Sequence, residues 1–139
     1  MNQPRINIAV VEDDNSFARS LERLFRASGF EVRTYPSAEA YLSPTPPPQP
    51  DCLVIDIQLG GMSGLDLQRR LHEFGFLTPI IFVTAHDAPS VREQAQRDGC
   101  SAYLLKPVLG QALLEAIAKA VKRDSREGRD DVANGPDRQ

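Results

Sequence analysis

Four short apolar runs in this chain each lead into a chemically loaded residue. Val10-Val11 runs into Glu12-Asp13-Asp14, and Leu53-Val54-Ile55 ends at Asp56. Ile80-Ile81-Phe82-Val83 ends at Thr84, and Leu104-Leu105 ends at Lys106-Pro107. Runs this short, apolar at consecutive positions, read as parallel strands buried on both faces. Ile6–Val11, Cys52–Asp56, Pro79–Val83 and Ala102–Leu105 are the strands so defined. A fifth candidate, Glu31-Val32-Arg33-Thr34-Tyr35, alternates polar and apolar residues, so one face is solvated or the strand lies at an edge.

Helical spacing fills the intervals. Phe17, Leu21, Leu24 and Phe25 form an amphipathic stripe that begins after the capping side chains of Asp14-Asn15-Ser16 and stops at Ser28-Gly29. Ser37 caps a short helix to Leu42. Gly64–Phe74 carries Leu65, Leu67, Leu71 and Phe74 as apolar positions. Pro89 stands at a helix start, where proline is tolerated, and that helix runs to about Asp98. The last helix spans Gly110 to about Lys122, with Leu113, Leu114, Ile117, Ala118 and Val121 facing the core. Ser43–Pro50 holds five prolines in eight residues, which excludes helix interior and paired strand and predicts a stiff surface loop. Beyond Arg123 only Val132 and Ala133 are clearly apolar, which predicts disorder for residues 124–139.

Five strands alternating with five helices, joined by right-handed crossovers, give a three-layer α/β sandwich around a parallel sheet. The edge character of Glu31–Tyr35 fits the strand order 2-1-3-4-5. In such sheets a site forms outside the carboxyl ends of the strands. The four polar clusters should therefore meet at one edge.

Composition narrows the function by exclusion. With 139 residues the chain has the size of one domain, and 41% apolar with 25% charged residues is ordinary for a globular protein. The net charge is −3 and the basic residues are dispersed, so direct nucleic-acid binding is not expected. There is no apolar stretch of membrane-spanning length and no signal-peptide core, which points to a cytoplasmic location without membrane attachment. Cys52 and Cys100 fit neither a CxxC nor a Cys/His metal pattern and read as small buried or half-buried residues.

The predicted edge brings together carboxylates, one hydroxyl and one ammonium. A carboxylate such as Asp56 can attack phosphorus to form an aspartyl phosphate. An anion attacking an anionic phosphoryl group beside further carboxylates needs a divalent cation to offset the repulsion. Asp13 and Asp56 could bind Mg²⁺ directly, with Glu12 acting through water. Lys106 and Thr84 would pair with phosphoryl oxygens, and positioning with charge stabilisation is most of what phosphoryl transfer requires.

These motifs resemble the response-regulator receiver domain of two-component signalling, over residues 5–123. The resemblance rests on Val10-Val11-Glu12-Asp13-Asp14, on Val54-Ile55-Asp56 followed by Met62-Ser63-Gly64, on Val83-Thr84-Ala85 and on Tyr103-Leu104-Leu105-Lys106-Pro107. It implies a flavodoxin-like receiver at residues 1–123, followed by a tail or linker at 124–139. Asp56 then matches the phosphoacceptor, Glu12 and Asp13 the acidic pair, and Gln58 the position whose backbone carbonyl ligates Mg²⁺. Thr84 and Lys106 match the hydroxyl and the lysine of the site. Tyr103 matches the aromatic switch, and Pro107 a proline usually preceded by a cis bond. The implied partner is a histidine kinase or a phosphotransfer protein. The implied output surface is helix 4, strand 5 and helix 5, through which a homodimer could form. Gly64-Leu65-Asp66-Leu67-Gln68 and His86 look similar to receivers attached to helix-turn-helix output domains.

The sequence departs from the family at Gly60, where many receivers carry proline, and Gly61 follows it; a more flexible loop is expected there. Two rival readings remain beside the signalling switch. One is an interaction scaffold on the same fold without a phosphorylation cycle, which the intact acid, Thr84 and Lys106 set argues against. The other is a phosphatase using an aspartyl-phosphate intermediate. Such enzymes commonly place a second carboxylate two positions after the nucleophile, and here that position is Gln58.

Overall fold

A computed structural model describes residues 5–134, with side chains described through Lys122. Its elements follow in the order β1 (Asn7–Val11), α1 (Asn15–Ala27), β2 (Glu31–Tyr35), α2 (Ala38–Leu42), β3 (Cys52–Ile55), α3 (Gly64–Glu73), β4 (Ile80–Thr84), α4 (Pro89–Arg97), β5 (Ala102–Leu105) and α5 (Gly110–Asn134). All pairings are parallel and the sheet order is β2-β1-β3-β4-β5, the expected arrangement.

The consecutive apolar residues of the central strands divide between two cores. Ile8 and Val10, Cys52 and Val54, and Ile81 and Val83 point to one side, where Leu21 and Phe25 of α1 and Leu113 and Ile117 of α5 cover them. Ala9 and Val11, Leu53 and Ile55, and Ile80 and Phe82 point to the other, beneath Tyr41, Leu67, Leu71 and Ala95. Period-two alternation of a strand buried on both faces requires this division. β2 pairs only with β1, and its exposed Glu31, Arg33 and Thr34 match the edge position read from its alternation.

Local chemistry fixes the helix starts. Asp14, Ser37 and Ser63 each adopt extended backbone and accept a hydrogen bond from a first-turn amide. Pro89 opens α4 without a side-chain cap. The proline-rich segment is anchored by Tyr41, which is wholly buried and donates its hydroxyl to the Pro48 carbonyl.

Three details differ from the sequence expectation. The helix expected to end near Lys122 continues to Asn134, so disorder does not begin at residue 124; residues 135–139 lie outside the described residues. A scarcity of apolar residues argues against a packed core but not against helical backbone, and Gly135-Pro136 is the first strong stop signal. On α5, Ala120 is buried and Ala118 exposed, because the inward stripe is centred on Leu113, Ile117 and Ala120 at helical spacing. Phe74 is exposed; it caps α3 beyond the sheet and stacks on Phe76 at 5.4 Å. Gln68, in contrast, is fully buried and donates from Nε2 to the carbonyls of Ala95 and Asp98, both at 3.3 Å, tying α3 to the end of α4.

The approach of α3 to β3 depends on Gly64. A Cβ there would lie 2.5 Å from the Asp56 carbonyl oxygen and 2.9 Å from Ile57 Cα. Both neighbours are backbone, so the helix or the strand end must shift. Gly64→Ala should therefore destabilise the domain by about 1–3 kcal/mol despite alanine's better helix propensity. A denaturant midpoint equal to or above that of the wild type would contradict this packing account.

Candidate functional site

β1 and β3 end side by side, with Val11 opposite Ile55, and β4 ends on Thr84 opposite Leu105 of β5. The residues that follow Val11, Ile55 and Leu105, together with Thr84, therefore share the carboxyl edge of the sheet. Lys106 binds the cluster together. Its Nζ lies 2.9 Å from Glu12 Oε1 and 3.0 Å from Asp56 Oδ2, and it sits over the Phe17 ring at 4.3 Å. Glu12 and Asp56 are buried, and Asp13 is exposed. One oxygen from each of Glu12, Asp13 and Asp56 lies within 4.8 Å of the others.

Backbone donors complete the carboxylate set. Glu12 Oε2 accepts from the Asp14 amide at 3.1 Å, Asp56 Oδ1 from the Gln58 amide at 3.0 Å, and Asp13 Oδ2 from the Gly60 amide at 3.3 Å. Asp14 caps α1 through the Phe17 amide and lies outside the three-carboxylate group. Burial pushes the Glu12 carboxyl up to about 7, with the charge of Asp56 adding to the rise and the hydrogen bonds from Lys106 and Asp14 opposing it. Burial alone would lower the Lys106 ammonium; its hydrogen bonds to Glu12 and Asp56 outweigh that effect and raise it.

Thr84 is fully buried at the end of β4, and its Oγ1 accepts from the His86 amide at 3.3 Å. The His86 side chain is exposed. Tyr103 sits apart from the carboxylates. Its hydroxyl donates to the His86 carbonyl at 3.4 Å, and the Arg92 guanidinium lies 5.0 Å from its ring centroid while pairing with Asp87 at 3.2 Å. The Lys106–Pro107 peptide is cis. Thus Glu12, Asp13, Asp56 and Lys106 converge, with Thr84 at the same edge, while Tyr103 belongs to an outer layer linked to Thr84 through His86. The sequence places Phe17 only in an apolar helix stripe, and it singles out neither Arg92 nor Glu39, a residue of α2. All three act across elements, where local pattern carries no signal.

The donor set suits a hard cation. Magnesium takes oxygen ligands at about 2.1 Å, which places opposite oxygens about 4.2 Å apart. Three carboxylate oxygens already within 4.8 Å need little contraction to reach that spacing. The same edge offers an ammonium and a hydroxyl for a ligand that carries its own negative charge.

A family model for the response regulator receiver domain matches residues 8–118. The chain belongs to that family. Nodulation protein W of Bradyrhizobium diazoefficiens is 43% identical over 129 residues, covering 91% of this chain and 57% of that protein. Transcriptional regulatory protein TdiR of Thauera aromatica is 36% identical over 114 residues, covering 82% of this chain and 50% of its own length. The crystal structure of a CheY-like response regulator receiver domain protein from Methanospirillum hungatei superposes with a TM-score of 0.82 at 25% identity, covering 89% of this chain and 99% of that one. The chain spans about half the length of the curated relatives it matches. It is thus a receiver of the bacterial two-component response regulators, a signalling domain rather than a conventional enzyme.

The raised Glu12 carboxyl gives the receiver site a pH signature. Between its ordinary value of 4.5 and about 7, the folded protein holds a proton that the unfolded chain has lost. Its contribution to stability is fully present below the unfolded value and is lost as pH rises through about 7. Carboxyl ¹³C NMR should show Glu12 titrating near 7 without divalent ions and lower with Mg²⁺, since a cation held beside it favours the charged carboxylate. A midpoint in the usual carboxylate range would remove the burial argument.

Proposed function

We propose that this receiver accepts a phosphoryl group on Asp56 from a histidine kinase, or from a phosphotransfer protein, in an Mg²⁺-dependent step. The observation that carries the reading is the Lys106 ammonium bridging Glu12 and Asp56, with Asp13 beside them. An Asp56 oxygen attacks phosphorus, the bond to the donor's imidazole nitrogen breaks, and the phosphoryl group passes to the carboxylate. Mg²⁺, when bound by Asp13, Asp56, the Gln58 backbone carbonyl and, through water, Glu12, supplies charge neutralisation for the phosphoryl oxygens. Lys106 is already within hydrogen-bond reach of Asp56 and takes one phosphoryl oxygen. Thr84 retains its O–H as a donor for another, because the His86 amide uses only an acceptor position of the hydroxyl. The domain catalyses no reaction other than its own phosphorylation and dephosphorylation.

The output follows from the outer layer. Once Thr84 turns toward the phosphoryl group, Tyr103 moves inward, and the surface of α4, β5 and α5 changes. Leu105 and Leu109 are large apolar side chains exposed at β5 and the start of α5, which suits that surface to a homodimer or an output partner. We place the receiver at residues 1–123 and read residues 124–139 as the connection toward an output domain. TdiR, twice as long as the region matched, is a transcriptional regulator by name, and an output of that kind is the expectation for the protein to which this receiver belongs. Among the described residues no helix is long and apolar enough to cross a membrane; the cytoplasmic location is proposed from the kinase-facing role alone.

Incubation with Mg²⁺ and acetyl phosphate should add one phosphoryl group to the wild type, read by intact-protein mass spectrometry. Asp56→Asn should abolish the gain; retention of the label would overturn the assignment. With beryllofluoride as the phosphoryl mimic, Tyr103→Ala should still show Mg²⁺-dependent amide shifts at Thr84 and Lys106 but lose any increase in mass seen by light scattering for the wild type. An unchanged mass response in Tyr103→Ala would exclude this residue from the output path.

A further inference from the structure

The loop after Asp56 contains Gly60-Gly61, the least restricted dipeptide available, yet its tip is tied down at two places. Its base closes where the Gly64 amide donates to the Ile57 carbonyl at 2.8 Å, and Ser63 caps α3. Of the tip residues, Gly60 donates its amide to Asp13 Oδ2 at 3.3 Å. Met62 donates its amide to Glu39 Oε2 at 2.8 Å. Glu39 lies on α2, 23 residues before Met62, and is not among the clustered carboxylates.

The Glu39 contact depends on Gly61. That residue has φ +80°, and a Cβ on it would stand 2.7 Å from Glu39 Oε2. Glycine adopts this backbone without strain and leaves the carboxylate where it is, whereas a side chain here would be strained and would push the carboxylate aside. The bond is charge-assisted, and the Met62 amide holds the Glu39 carboxyl below the usual carboxylate range. Asp13 divides its carboxylate between the Gly60 amide and the candidate metal set. Glu39 has no such second duty.

We propose that Glu39 is a positioning residue of the phosphoryl site: by holding the Met62 amide it fixes the 57–62 loop, and with it the Gln58 backbone, against Asp56. A tertiary hydrogen bond thereby restricts a loop whose covalent structure does not. The inference rests on reading Asp56 and its neighbours as the Mg²⁺ and phosphoryl site. Glu39 does not touch the reacting atoms, and its effect passes through the loop.

The test compares Glu39→Ala, Glu39→Lys and Glu39→Gln with the wild type in the full chain. Amide hydrogen exchange without metal reads the loop, titration with MgCl₂ followed by NMR reads the site, and thermal unfolding serves as a control. Losing the acceptor should speed exchange at Gly61 and Met62 and weaken Mg²⁺ binding, each by about three- to tenfold, with the unfolding midpoint little changed. Glu39→Gln keeps an acceptor oxygen and should recover most of both effects. Wild-type exchange and Mg²⁺ affinity in Glu39→Ala and Glu39→Lys would overturn the proposal. So would faster exchange spread across the whole domain, which would make Glu39 a matter of general stability. A wild type that neither binds Mg²⁺ nor labels on Asp56 would instead defeat the functional reading, with loop exchange still reporting separately on the Glu39 contact.

Discussion

Two buried carboxylates cannot share one sheet edge as anions without a compensating charge, and the Lys106 ammonium supplies it here. Unit charges about 4 Å apart interact with about 4 kcal/mol at an effective dielectric near 20, a large quantity beside the stability of a small domain. Glu12 and Asp56 each lie within 3.0 Å of Lys106 Nζ. Breaking a buried pair of this kind costs about 3–5 kcal/mol, unless the stranded carboxyl takes up a proton. The raised carboxyl of Glu12 shows how close the site already is to that outcome. The arrangement is held under tension by its own charges, and a ligand that brings cation and anion together can relieve it.

The rest of the fold delivers those groups to one place. Parallel pairing aligns the carboxyl ends of β1, β3, β4 and β5, and burial of the central strands on both faces fixes their register, since a one-residue slip would exchange the two cores. Gly64 then lets α3 start against the end of β3 with no side chain between. The loop that carries Gln58 is consequently short and closed, and the Asp13 and Glu39 carboxylates hold its tip.

What could be read from the sequence was whatever repeats at short range or ends a strand. The strand order and the grouping of Glu12, Asp13, Asp56, Thr84 and Lys106 at one edge followed from apolar runs and their polar endings. Cross-element contacts left no such trace. Glu39 meets Met62 only because α2 passes over the loop, and Arg92 reaches Tyr103 from α4. Nothing in the local pattern marks Gln68 as buried, yet its amide fastens α3 to the carbonyl end of α4. The length of α5 was misjudged for another reason. Hydrophobic pattern reports where a helix packs, and the backbone continues as helix past the last core position until Asn134.

The His86 backbone gives the proposed switch its path. Its amide donates to Thr84 Oγ1 and its carbonyl accepts from the Tyr103 hydroxyl, so the backbone of one residue touches the phosphoryl-site hydroxyl on one side and the outer aromatic on the other, through two peptide planes that meet at its Cα. Thr84 can donate its own proton elsewhere without giving up the His86 amide. A small movement of Thr84 toward a phosphoryl oxygen would then shift the Ala85–His86 peptide with it, and rotation about the His86 Cα would carry the carbonyl away from Tyr103. The Tyr103 bond is long at 3.4 Å and therefore weak, so the ring is held by the Arg92 guanidinium, itself paired with Asp87, and by its tilted contact with Phe82 at 6.4 Å. A two-state element biased by a few such weak contacts can be shifted by one new charge-assisted hydrogen bond at the site. A strongly held tyrosine could not.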